Sequence, residues 1–134
     1  MKTIQVGNLT IDGSKLFLIA GPCVIEGYDR TLMIGREIKK ICERLGVQYI
    51  FKASYDKANR SSFRGPGLDK GLEILASIKK ELQVPVLSDV HDVTQLEKAS
   101  KVLDMIQIPA FLCRQTDLIY GAAKTGAPVN VKKG

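Results

Sequence analysis

Short apolar runs alternate with longer stretches of helical period along the whole chain. Ile4–Val6 and Leu9–Ile11 flank Gly7-Asn8, a pair that tolerates positive φ, and predict a small hairpin. Leu16–Ala20 follows as an apolar strand that stops at Gly21-Pro22. From about Tyr28 to Leu45 the period becomes helical. Ile34, Ile38, Ile41 and Leu45 fall on one face, Arg36, Lys40 and Arg44 lie elsewhere, and Gly46 ends the helix. Tyr49–Ser54 is the next strand and Leu68–Leu82 the next helix, with Leu68, Leu72, Leu75 and Leu82 in register. Val86–Val90 is again a strand. Asp92 and Gln95 are spaced as in a capping box, with Asp in place of Ser/Thr, ahead of Leu96, Ala99 and Leu103. Met105–Ile108 is a strand, roughly Gln115–Lys124 a helix with Gly126 at its exit, and Pro128–Lys132 a last strand.

A β-α-β-α rhythm at this spacing means a parallel α/β sheet. The sequence stops at Val131-Lys132-Lys133-Gly134, directly after a strand that has no helix behind it. Five βα-type strands suit an open doubly wound sheet. They equally suit the first five strands of an eight-stranded barrel, which needs about 250 residues. Length alone favours the open sheet.

Composition narrows the class. A chain of 134 residues, 45% hydrophobic and 25% charged, is ordinary for one globular domain. No apolar run approaches the roughly eighteen residues of a membrane span, and the start lacks a signal-peptide layout, so a soluble, cytoplasmic protein without a membrane partner is expected. The charge is +6 at pH 7, from 20 basic and 14 acidic residues. That excess suits an anionic partner. The bases lie singly or in pairs, and 6% aromatics with no Trp supply a poor base-stacking surface, so nucleic acid is not expected. Three widely spaced cysteines, Cys23, Cys42 and Cys113, argue against a disulfide framework and for a reducing compartment.

The ends of the strands carry the candidate chemistry. A strand buried on both faces should be almost wholly apolar. Here period-two alternation puts Lys52 with Ser54, Asp89 with His91, and Asn130 with Lys132, and sets Gln107 opposite Ile106 and Ile108. Ligand sites in parallel α/β folds lie at the carboxyl ends of strands, so one polar site built from several strands is the economical reading. The segment Lys52 to Gly67 adds Lys57, Arg60 and Arg64 with hydroxyls and glycines ahead of a helix N-terminus, which suits a phosphate. Gly65-x-Gly67 with Gly71 echoes a dinucleotide fingerprint at the wrong spacing. Cys42 belongs to the apolar side of its helix. Cys23 is open to three roles: buried thiol, metal ligand or nucleophile. Lys52 in isolation could form a Schiff base, but Lys132 with the same orientation on another strand fits an anion clamp better.

At these residues the chain resembles a known family. Ile19-Ala-Gly-Pro-Cys23, Phe51-Lys-Ala-Ser-Tyr-Asp-Lys-Ala-Asn-Arg-Ser-Ser62, Arg64-Gly-Pro-Gly-Leu68, Ser88-Asp-Val-His91, Ile106-Gln-Ile-Pro-Ala-Phe-Leu-Cys-Arg-Gln-Thr-Asp-Leu118 and Asn130-Val-Lys-Lys-Gly134 are similar to the 3-deoxy-D-manno-octulosonate 8-phosphate synthases. The likeness runs the whole chain in order. It implies a (β/α)8 TIM barrel, of which residues 1–13 form a plugging hairpin and residues 14–134 an incomplete domain of barrel strands 1 to 5. It also implies a transferase of lipopolysaccharide biosynthesis that condenses phosphoenolpyruvate with D-arabinose 5-phosphate and water, releasing phosphate. Carried over by position, Lys52, Lys57 and Lys132 would hold the phosphoenolpyruvate carboxylate and phosphate. Asn59, Arg60 and Ser61 would take the sugar and its phosphate, Asp89 a sugar hydroxyl, and Gln107 would join the substrate-binding surface. Arg114 would reach the sugar phosphate of a neighbouring subunit, which implies a homotetramer. Cys23 resembles the ligand of the metal-dependent branch, which implies a divalent metal whose other ligands this chain lacks.

Two departures from that family pattern stand out. About three residues are missing between Ser62 and Phe63, and the tighter loop is expected to displace Arg60 or Ser61. The family's last three strands, with a further arginine, a histidine and the other metal ligands, are also missing. The chain is therefore expected to be a truncated product or partial reading frame with little or no activity alone. The competing readings are the heptulosonate 7-phosphate synthases of aromatic biosynthesis and a non-catalytic open-sheet module that binds a phosphorylated ligand.

Overall fold

The computed structural model describes residues 2–134. Two short strands, β1 (Ile4–Val6) and β2 (Leu9–Ile11), pair antiparallel in the expected hairpin. Five parallel strands follow: β3 (Phe17–Ala20), β4 (Gln48–Lys52), β5 (Val86–Asp89), β6 (Met105–Ile108) and β7 (Val129–Val131). They lie side by side in chain order, with helices α1 (Tyr28–Leu45), α2 (Leu68–Leu82), α3 (Leu96–Ser100) and α4 (Thr116–Lys124) on the crossovers. This curled sheet is part of a (β/α)8 barrel rather than a doubly wound sheet, because strand order never reverses. Among the described residues β3 and β7 are its two edges.

The inner face of the sheet is layered by side-chain parity. Ile50, Leu87 and Met105, from three adjacent strands, pack with Val6 of the hairpin and, at their margin, Leu9, Ile11 and Ile19. The hairpin thus closes the N-terminal end of the strands with an apolar layer. Two residues further along each strand the same face turns polar, at Lys52, Asp89 and Gln107. Asp89 and Gln107 are register partners, as are Gln107 and Asn130, so the polar row crosses three strands in line. The outer face, with Tyr49, Phe51, Val86 and Ile106, packs under the helices with Leu72, Leu75, Ile78 and Leu82 of α2.

Helix α1 has the expected ends but turns a different face inward. Gly46 adopts a left-handed conformation at φ 67, and Val47 N–H donates to the Cys42 carbonyl at 2.9 Å, closing a Schellman motif. The buried stripe is Thr31, Leu32, Gly35 and Cys42, whereas Ile41 and Leu45 are 47% and 65% exposed. Close approach explains the rotation. A Cβ on Gly35 would sit 2.7 Å from Leu82 and 3.1 Å from Phe51, so α1 lies against α2 and β4 through its smallest residues. The larger aliphatic residues Ile41 and Leu45 are left exposed, as are Leu16, Phe17 and Leu18 at edge strand β3.

The predicted capping box forms only in half. Asp92 Oδ1 accepts from Thr94 N–H at 2.8 Å and caps one 3-10 turn, Val93–Gln95, that leads into α3. Gln95 does not return to Asp92. Its side-chain oxygen accepts from Tyr55 O–H at 2.6 Å and from His91 N–H at 3.2 Å. No helix among the described residues is long and apolar enough to cross a membrane.

Candidate functional site

A cavity of about 450 Å³ opens over the carboxyl ends of the strands. Its floor is the polar row, and its walls come from the loop after β4 and the turn after β6. Lys52, Lys57, Asn59, Asp89, Gln107 and Lys132 all line it, with His91 beside them and Pro109, Phe111 and Leu112 as an apolar wall. Six of the ten residues singled out from the sequence are therefore gathered in one place. Arg60, Ser61, Arg114 and Cys23 lie outside the lining.

The carboxylate at the centre is fixed from both sides. Ser54 Oγ donates to Asp89 Oδ1, and His91 Nε2 lies 3.0 Å from Asp89 Oδ2. Lys52 Nζ donates in turn to Ser54 Oγ at 3.4 Å. Burial alone would raise the Asp89 pKa. The hydrogen bonds from His91 and Ser54, with the charges of His91 and Lys52, outweigh it and bring the group from 3.8 to about 2. A carboxylate depressed on folding stabilises the fold fully above its unfolded value and loses that contribution as pH falls through its folded value. Asp89→Asn should therefore cost about 2 kcal/mol at pH 7, with the deficit closing between about pH 4 and about pH 2. Urea titrations at several pH values read this directly, and a deficit that does not vary with pH would contradict it.

On the neighbouring strands Asn130 Nδ2 donates to Gln107 Oε1 at 3.0 Å, which leaves the Gln107 amide nitrogen for the cavity. Lys52, Lys57 and Lys132 bring three ammonium groups to the same space. The Lys52 pKa is lowered, first by burial and then by the charge of Lys57, against the pull of Asp89 and Cys23, with Lys132 adding to the depression. An anion in the cavity relieves that repulsion.

The loop between β4 and α2 is tightly drawn. Lys57 N–H donates to the Arg64 carbonyl at 2.7 Å, and Arg60 N–H to the Lys57 carbonyl at 3.0 Å. Arg64 is no free phosphate ligand, because its guanidinium grips Asp56 through two bonds of 3.0 Å each. Arg60 and Ser61 are exposed, and Arg60 Nη2 points at Cys23 Sγ, 3.4 Å away. Cys23 is exposed, so the buried-thiol reading is withdrawn. Burial raises its pKa, but the Lys57 charge and the Arg60 contact bring the net change below the ordinary thiol value. Among the described residues no three of His, Cys, Asp and Glu come together to hold a metal ion. Two cations, Arg60 and Lys57, face the Cys23 sulfur and favour its thiolate, the form that binds a metal, but a ligand set around it is not present among the described residues. Arg114 is exposed on the turn before α4.

Tyr55 and Gln95 stand behind His91, outside the cavity lining, and no motif in the sequence singles them out as a pair. They are 40 residues apart, and no local spacing announces their hydrogen bond.

Parallel βα units with a cation-rich cavity at the carboxyl ends of their strands define a partial (β/α)8 barrel, with its polar cavity on the face where such barrels carry their sites. A model described as the DAHP synthetase I family matches residues 3–134, and the chain belongs to that family. Curated relatives are similar over nearly its whole length. The 2-dehydro-3-deoxyphosphooctonate aldolase of Fusobacterium nucleatum is 55% identical over 98% of this chain and 49% of its own length. The protein of the same name from Desulfotalea psychrophila is 59% identical over 91% of this chain and 45% of its own length. The one from Koribacter versatilis is 56% identical over 100% of this chain and 49% of its own length. The chain thus spans about half the length of the curated relatives it matches.

Proposed function

We propose that the complete protein condenses phosphoenolpyruvate with D-arabinose 5-phosphate and water to 3-deoxy-D-manno-octulosonate 8-phosphate, releasing inorganic phosphate, in the cytoplasm. The observation that carries this reading is three lysines around one fixed carboxylate at the strand ends, Lys52, Lys57 and Lys132 about Asp89. The relatives' name, 2-dehydro-3-deoxyphosphooctonate aldolase, supports the same product class.

The residues divide the work by charge. Phosphoenolpyruvate carries a carboxylate and a phosphate close together, and the three ammonium groups hold both. Its C3 forms a bond to the aldehyde carbon of the sugar, whose oxygen takes up a proton. Water adds at C2, and the C2–O bond to phosphate breaks. Preorganised cations aimed at charge that moves between two anions lower such a barrier without reorganising during the step. Asp89, with each oxygen already accepting one hydrogen bond, offers its remaining lone pairs to a sugar hydroxyl. Asn59 and the Gln107 amide bind the sugar chain, and Arg60 and Ser61 close on its phosphate from the loop. Arg114 reaches the sugar phosphate of a neighbouring subunit in a homotetramer.

Phosphate release by the complete protein tests the reading. Arabinose 5-phosphate should be used about 100-fold or more better than erythrose 4-phosphate, because a site built around a hydroxyl rejects a substrate that lacks it. Equal or reversed preference would make this a heptulosonate synthase.

A further inference from the structure

His91 is the single histidine of the chain, and the condensation just described gives it no task. Its side chain is only 12% exposed, and both its backbone and its ring are held. Its N–H donates to Gln95 Oε1 at 3.2 Å, and that same oxygen is anchored by Tyr55 O–H at 2.6 Å. The Tyr55 and His91 rings meet edge to face, with centroids 6.0 Å apart. The two ring nitrogens are treated differently. Nε2 meets Asp89 Oδ2 at 3.0 Å, whereas among the described residues the buried Nδ1 has no hydrogen-bond partner. A ring that relays a proton needs a partner at each nitrogen, and one whose second nitrogen touches nothing has nowhere to pass it. The arrangement suits orientation: Nε2–H faces Asp89 Oδ2, and among the described residues Nδ1 has no partner of its own.

We propose that His91 is a positioning residue, held by Tyr55 and Gln95, whose Nε2–H fixes the second oxygen of Asp89 so that the carboxylate meets the cavity as a pure acceptor in one orientation. Ser54 holds the first oxygen, and neither side chain needs to touch the ligand. The consequence is chemical: whatever group faces Asp89 must be a donor, and a hydroxyl in a rigidly defined place. The ionisable groups around Asp89 are Lys52 on β4, Tyr55 and Lys57 just beyond it, His91 itself, and Lys132 after β7. Of these His91 is the one bonded directly to the carboxylate.

The inference rests on the functional reading only in taking Asp89 as the ligand-facing carboxylate. Its test uses no substrate, so failed turnover and failed titration are separate results. Carbon-13 titration of the Asp89 carboxyl would be followed in the wild type, His91→Phe, His91→Gln and His91→Asn. The amide nitrogen of Gln overlays Nε2, whereas that of Asn overlays the Nδ1 that touches nothing. The Asp89 midpoint should rise by about one pH unit in the Phe and Asn variants and stay near the wild-type value in Gln. Where acid unfolds a variant first, the acid-unfolding midpoint is read instead and should follow the same order. A purely space-filling histidine would predict Asn and Gln to behave alike. That result, or an Asp89 midpoint unmoved in His91→Phe, would overturn the proposal.

Discussion

Alanine at Gly21 will cost the fold about 3 kcal/mol or more, because the methyl group it adds has no room. The added Cβ would lie 1.9 Å from the Lys52 carbonyl oxygen and 2.9 Å from its carbonyl carbon, both backbone atoms that no rotamer change can move aside. Relief requires β3 and β4 to part just where Lys52 enters the cavity. The substitution should therefore lower the urea midpoint and weaken anion binding together. Gly46→Ala is the control. Its Cβ would meet nothing within 4 Å, and its left-handed φ of 67 leaves only a conformational cost of about 1 kcal/mol. If Gly21→Ala proved no more damaging than Gly46→Ala, the close contact between β3 and the end of β4 would be wrong.

Lys52→Met should move stability and function in opposite directions. Methionine keeps the length and apolar body of the lysine while removing an ammonium group that burial and Lys57 disfavour. The sign follows from linkage. A lysine whose pKa is depressed on folding makes stability rise with pH between its folded value and its unfolded value of 10.5, so its charge strains the empty pocket at pH 7. The variant should unfold at the same or higher urea concentration than the wild type. In the complete protein, kcat/KM for phosphoenolpyruvate should nevertheless fall by about 10²–10³, as when one preorganised electrostatic contact is lost. A variant that melts early and keeps its activity would mean that Lys52 is structural.

Much of the architecture was legible because local patterns encode it. The bounds of α1 and α2 follow from helical period and from Gly46 and the Leu68–Leu82 register. The polar row follows from two-residue alternation, which a parallel sheet obeys strictly enough to place Lys52, Asp89 and Gln107 on one face. What the sequence did not disclose depends on neighbours. Periodicity shows that α1 is amphipathic, yet the face it buries was chosen by how closely Gly35 lets it approach Leu82 and Phe51. Gln95 has the spacing of a capping residue, but a tyrosine 40 residues earlier competes for it. Arg64 and Lys57 look alike in a basic loop until Asp56 engages one and leaves the other facing the cavity. Local signals specify elements, and long-range competition for the same side chain decides roles.

The unbroken strand order has a kinetic consequence. Each parallel strand pairs only with the strands that precede and follow it in the chain. Among the described residues no pairing has to wait for a distant segment, so each contact is closed over a single βα unit. The sheet can grow by accretion from an early pair, each unit laid onto the exposed edge left by the last. Hydrogen exchange should preserve that history, slowest in β5, the central strand of the five, and fastest along the outward-facing amides of β3 and β7. An edge of this kind is also a growing point. The next parallel strand to arrive, from the same polypeptide or another, finds its hydrogen-bonding template already in place.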